Sequence, residues 1–193
     1  MISAWRIVKR KFARAAFTGE GARLYGGRWN SAGVAIVYTA ESQSPAALEM
    51  VVQLESSELL DRYVAIEVGI DESLVAKIEL SLLPRNWRAD PPPAKVREIG
   101  DAWAASGSSV VLQVPSVLIP AERNFLLNPR HPDFAKLSMG TPSRFRFDPR
   151  FARQNPRGQP HSFDRWFLHY PSAVNCRFGL RGGGLESWAA QHW

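Results

Sequence analysis

The chain holds a single cysteine, Cys176, among 193 residues. An internal disulfide and a cysteine-cluster metal site are therefore excluded. Histidine is scarce too: His131 is the only one before residue 152, and His161, His169 and His192 beyond it lack the spacing of metal ligands. No metal site is expected. No apolar run approaches the roughly 18 residues of a membrane helix. The opening residues, Met1 to Arg6, lack a signal peptide's apolar stretch, so a cytoplasmic protein without membrane contact is expected. No G-x-G-x-x-G fingerprint follows the first strand-like segment, and no G-x-S-x-G elbow surrounds Ser116. Neither a Rossmann-held redox cofactor nor a serine nucleophile is indicated.

A one-sided basic stripe is also missing. The net charge of +6 divides evenly: residues 152–193 carry five arginines against Asp164 and Glu186, and residues 1–151 carry 19 basic and 16 acidic side chains. Charge spread in this way gives an ordinary domain surface, and no direct nucleic-acid role is expected. The length suits one domain with a real core. We expect a domain over residues 1–151 and a basic, poorly ordered extension over 152–193, where periodicity is lost around Gly182-Gly183-Gly184.

What the chain does have is concentrated between Gly26 and Glu49. Gly26-Gly27 allow a tight turn and close approach of backbone to a ligand. Arg28 follows, a permanently charged fork suited to phosphate or carboxylate. Val34 to Thr39 is β-branched and reads as a strand buried on both faces, with Tyr38 near its end. Ser44-Pro45 reads as a helix cap and first position, the helix running on to Leu54 with Leu48, Val51 and Val52 on one face and Glu49 at its edge. Each of these residues has a plainer reading: Arg28 as a surface ion pair, Tyr38 as a strand aromatic, Glu49 as a solvated helix residue.

The remainder predicts strands at Trp5 to Val8, Arg62 to Ile70, Ser109 to Val114 and Arg144 to Phe147, with an extended piece from Asn124 to Pro132. In the second of these, Glu67 falls on the solvent face. A helical turn is expected within Asp71 to Leu80, a loop with a docking tryptophan at Trp87, and a helix from Ala94 to Ala105 that buries Trp103 and is broken by Gly107. Ser116 sits at a strand end, where functional side chains often project.

Taken together, G-G-R-W-N at 26 to 30, V-Y-T-A-E-S at 37 to 42, A-L-E at 47 to 49, V-P-S at 114 to 116 and N-F-L-L-N-P-R-H-P at 124 to 132 resemble the RES domain, over roughly residues 4–148. That family supplies the toxins of bacterial RES-Xre toxin-antitoxin pairs. The resemblance implies an α+β fold like that of ADP-ribosyltransferases, a mixed split β-core with a few flanking helices. It implies an enzyme that consumes NAD as a substrate, with no other cofactor, by hydrolysis or phosphorolysis of the nicotinamide-ribose bond. Transfer of ADP-ribose to a protein is the alternative, and a non-catalytic nucleotide- or peptide-binding module a further one. Carried over by position, Glu49, Arg28, Tyr38 and Ser116 are the expected catalytic residues, and Asn30, Ser31 and Asn124 join Arg28 and Tyr38 at the substrate. The implied partner is a helix-turn-helix antitoxin of the Xre type covering the cleft, with a toxin homodimer inside a larger complex.

Overall fold

The first strand of the chain is also the seam of its sheet. A computed structural model describes residues 1–52, 62–148 and 150. In it β1 (Ile2–Lys9) pairs along its whole length with β3 (Tyr63–Ile70), antiparallel, from Ile2 opposite Ile70 to Lys9 opposite Tyr63. On its other side β1 meets β2 (Val37–Ala40) at one registered pair only, Trp5 with Ala40. Beyond β2 the ladder is regular again. β6 (Arg123–Leu127) pairs with β2 at four positions and with β5 (Val111–Pro115) at five, and β4 (Val75–Lys77) runs parallel to β5. β7 (Ser138–Met139) and β8 (Ser143–Phe145) close the far side of β3. The mixed sheet is thus two well-paired halves joined at a narrow waist.

Alternation along the strands gives the sheet two apolar faces. On one, Ala4, Val37, Val68, Ile70, Val111, Phe125 and Leu127 pack with Leu137 and Phe134. Val8, Val64 and Ile66 continue it under Ala16 and Phe17. The other face is divided. Ile7, Ala40, Tyr63 and Ala65 lie under α2 (Gln43–Val51), while Leu112, Val114 and Leu126 lie under α3 (Ala94–Ser106) with Trp29, Val96 and Trp103. Polar residues occupy the gap between these two clusters, with Glu49 of α2 in contact with Ser116 and Asn124.

Several expectations need correction. The cap of α2 is Ser42, in extended conformation, and Pro45 lies in the first turn. A proline is tolerated there because first-turn N–H groups have no helical partner anyway. The buried face of α2 is Pro45, Ala46 and Met50, while Val52 is 54 % exposed. Small residues facing the sheet let the helix backbone sit close. Leu54 and the rest of residues 53–61 lie outside the described residues, as do 149 and 151–193, which hold the expected domain boundary and extension. The early strand is shorter than expected, with Val34 to Ile36 forming no ladder. The stretch after Asp71 yields one 3-10 turn (Glu72–Leu74) and then β4, an edge strand too short to leave a period in the sequence.

Other expectations hold. Helix α3 follows Pro93 and ends at Gly107, which adopts the left-handed conformation at φ 58°. Trp103 is buried and Glu67 is exposed, accepting from Ser3 Oγ at 2.6 Å. None of the described helices is long and apolar enough to cross a membrane.

Candidate functional site

The glycine turn is held rigid by its own residues. Helix α1 (Glu20–Tyr25) ends at Gly26, φ 75°, and Gly27 N donates to Asn30 O at 2.9 Å. A Cβ on Gly27 would stand 2.5 Å from the Tyr38 hydroxyl, so only glycine lets the turn close onto that ring. The hydroxyl accepts from Trp29 N at 3.0 Å and donates to Asn30 Oδ1 at 2.6 Å. Asn30 is fully buried, and its amide nitrogen donates to Ala22 O, Val34 O and Ser31 O. Both ends of that side chain are therefore occupied by the protein, and no surface of it is open to a ligand. Ser31 is half-buried, and its backbone N–H donates to Asp101 Oδ1 at 2.9 Å, which ties the turn to α3.

Anchored in this way, Arg28 is aimed by its backbone. Its Nη1 donates to the carbonyls of Trp87 and Ala89 at 3.0 and 3.1 Å. Trp87, the expected docking tryptophan, leans on Trp29 with ring centroids 6.5 Å apart. Burial lowers the guanidinium's proton affinity, while the charges of Asp90 and Glu49 and the Tyr38 phenol oppose that loss. Burial likewise pushes the Tyr38 phenol well above its ordinary range, so it stays neutral.

Glu49 reaches in from α2 on the opposite side of the gap. Its Oε1 accepts from Asn124 Nδ2 at 3.1 Å and from Ser116 Oγ at 3.4 Å. Ser116 is itself buried at the end of β5, and its Oγ accepts from Ile119 N. Burial raises the Glu49 carboxyl above the usual carboxylate range. Hydrogen bonds from Asn124 and Ser116 and the charge of Arg28 pull it down, and Glu122 pushes it up again. Glu49, Ser116 and Asn124, far apart in sequence, are therefore in direct contact; the charge of Arg28 acts on Glu49, and Tyr38 in turn interacts with Arg28. Two further glutamates lie elsewhere: Glu41 pairs with Arg123 at 2.7 Å, and Glu67 lies on the solvent face.

Sequence reasoning missed Arg6. It lies mid-strand in β1 at the waist, and its Nη1 donates to the Tyr38 carbonyl at 2.7 Å where strand pairing is lost. Its Nε is buried without a partner among the described residues, and burial lowers the guanidinium to about 10. Arg6 lines a cavity of about 220 Å³ with Lys9, Gly26, Gly27, Tyr38 and Met50. The signal was available: a charged residue inside Trp5-Arg6-Ile7-Val8, a segment otherwise apolar, needs a partner or a ligand.

The family model of the RES domain matches residues 3–148. This chain belongs to the RES domain family. Two relatives of this RES chain span nearly their full lengths. Toxin Res of Yersinia enterocolitica is 44 % identical over 147 residues, 76 % of this chain and 97 % of the relative. The Prs ADP-ribosylating toxin of a Sphingobium species is 39 % identical over 158 residues, 79 % and 98 % respectively. Among solved structures, the Mycobacterium tuberculosis MbcT-MbcA toxin-antitoxin complex contains a chain that superposes with a TM-score of 0.63, over 79 % of this chain and 87 % of that one. At 15 % identity that likeness speaks to the fold alone: a split mixed sheet with few helices, α+β, as the resemblance implied.

Proposed function

We propose that this RES chain is the toxin of a bacterial toxin-antitoxin pair and that it depletes NAD by breaking the nicotinamide-ribose bond. One observation carries the reading: a half-buried carboxylate, Glu49, held by Ser116 and Asn124, faces the field of an arginine aimed by a rigid turn. Cleaving that bond builds positive charge on the ribose, and a carboxylate hydrogen-bonded to the ribose hydroxyls stabilises the charge more in the transition state than in the ground state. Glu49 has this role. Ser116 and Asn124 fix its oxygen, which removes the need to reorganise during the reaction.

Arg6, bonded to the Tyr38 carbonyl, and Arg28, which interacts with the Tyr38 phenol, supply cations for the diphosphate of the dinucleotide. The Tyr38 hydroxyl is engaged with Trp29 and Asn30, which fixes the orientation of the ring proposed to pack on nicotinamide. Asn30 and Ser31 then act through the turn, by holding Arg28 and Tyr38 in place, and NAD enters as a substrate and not as a cofactor. The names of the relatives and the presence of an antitoxin beside the structural neighbour support the toxin reading, with an Xre-type helix-turn-helix protein covering the cleft. The name of the Sphingobium relative favours a second reading, in which ADP-ribose passes to a protein.

Purified protein incubated with NAD should release nicotinamide, and Glu49→Gln should lower that rate by about 10²-fold or more, the scale seen when one group acting on transition-state charge is removed. A folded Glu49→Gln protein with full activity would remove Glu49 from the mechanism.

A further inference from the structure

Beside Glu49 stands a second carboxylate that the mechanism above leaves unused. Glu122 sits in the turn between β5 and β6, and its backbone carbonyl accepts from Ser116 N at 3.0 Å. It lies one residue ahead of β6 and two before Asn124, and its charge acts on Glu49. Two acceptor atoms at this point are buried without a donor among the described residues, Glu122 Oε2 and Asn124 Oδ1. The neighbouring cation is engaged elsewhere: Arg123 is exposed and bonded to Glu41 at 2.7 Å. Buried acceptors left unpaired are costly, and a cluster of them beside a reacting centre calls for a ligand that brings protons.

Resting on the NAD-cleaving reading, we infer that Glu122 and Asn124 form the subsite of the ADP-ribose acceptor, with Glu122 as its general base, and that the acceptor is a neutral O–H or N–H group. A water molecule or a hydroxyl or amine of a protein side chain fits. An inorganic phosphate dianion does not, because two carboxylates at close range oppose an incoming anion. Among the described residues, Arg28 is the cation whose charge acts on Glu49, and in the NAD-cleaving reading the dinucleotide's own diphosphate engages it. In the reaction the ribose C–N bond breaks and its electron pair leaves on the ring nitrogen of nicotinamide. The acceptor's lone pair forms the new bond to the ribose carbon, and its proton passes to Glu122 and then to solvent.

The test is product identity. NAD is incubated with the full chain in phosphate buffer and in a phosphate-free buffer of equal ionic strength, with products resolved by mass spectrometry. ADP-ribose, or ADP-ribosylated protein when a cell extract is added, is expected in both buffers, without ADP-ribose 1-phosphate. In Glu122→Gln, which keeps the shape of the side chain and whose fold is checked by thermal melting, transfer to water should fall by about 10²-fold and the phosphorylated product should rise. Phosphorylated product as the main product of wild type overturns the inference, and so does a Glu122→Gln protein with wild-type rate and products. If wild type releases no nicotinamide in any arm, the NAD-cleaving reading fails and this one falls with it.

Discussion

Glu49 makes activity and stability pull in opposite directions. Its carboxyl is raised by burial and by Glu122 and lowered by Asn124, Ser116 and Arg28, with burial the largest effect. Only the ionised form can accept two ribose hydroxyls, so nicotinamide release should decline as pH falls through a midpoint above the ordinary carboxylate range. Glu122→Gln should move that midpoint downward, because one of the groups opposing ionisation is gone. A pH-rate profile of both proteins checks this; an unmoved midpoint would mean Glu122 does not act on Glu49. The stability sign is the reverse. A carboxyl whose proton affinity is higher in the folded state loses stability as pH rises from its unfolded midpoint through its folded one. Glu49→Gln should therefore melt higher than wild type at pH 7, with the difference vanishing below the ordinary carboxylate range. Arg28 tests geometry instead of charge: Arg28→Lys keeps the cation but loses the fork set on Trp87 and Ala89. KM for NAD should rise by about 10-fold, a single interaction lost, with kcat changed less; an unchanged KM would remove Arg28 from the diphosphate.

Among elements, α3 shows how the turn is clamped. A Cβ on Gly100 would overlap the Trp29 carbonyl oxygen, so the helix can press directly on the backbone of the G-G-R-W-N turn. Replacing a helical glycine with alanine ordinarily gains about 0.5–1 kcal/mol. Here Gly100→Ala should destabilise instead, by about 1–3 kcal/mol as for other overpacked cores, and should weaken NAD use by shifting Arg28. A denaturant melt measures it, and a stabilised variant would contradict the clamp. The N-F-L-L-N-P-R-H-P segment is likewise scaffold. Asn128 Nδ2 donates to Ala104 O, and His131 spans Gly107 O and Asp133 N, so it latches β6 to the end of α3. Within that motif Asn124 alone enters the site.

Across the whole molecule, the two halves of the sheet meet at Trp5 and Ala40, with Arg6 reaching across to the Tyr38 carbonyl. A dinucleotide held by Arg6 and Arg28 on one side and Glu49 on the other would join both halves. NAD added to Glu49→Gln, where turnover is slow, should therefore raise its melting temperature in a concentration-dependent way. Hydrogen exchange should slow on both β1 and β2. Protection confined to one half would place the ligand away from the waist.

The elements that repeat a simple pattern were legible before any coordinates: β3 from its alternation, α3 from its spacing between three prolines and Gly107, the rigid turn from paired glycines beside Arg28. The types of chemistry were legible too, because charge, aromaticity and hydrogen-bonding capacity belong to a side chain wherever it sits. What the fold alone decided is which of those side chains meet. Strand order sets β6 beside β2 and β5 beside β6, so Ser116 and Asn124 at their ends touch a glutamate 67 and 75 residues away, whereas Asn30, beside Arg28 in the chain, turns inward and serves the turn. Arg6 was marked only by its charge inside an apolar segment, and Glu122 not at all, until burial left their polar atoms without partners among the described residues. Desolvation and unpaired acceptors arise from packing among residues distant in sequence, and no local pattern encodes them.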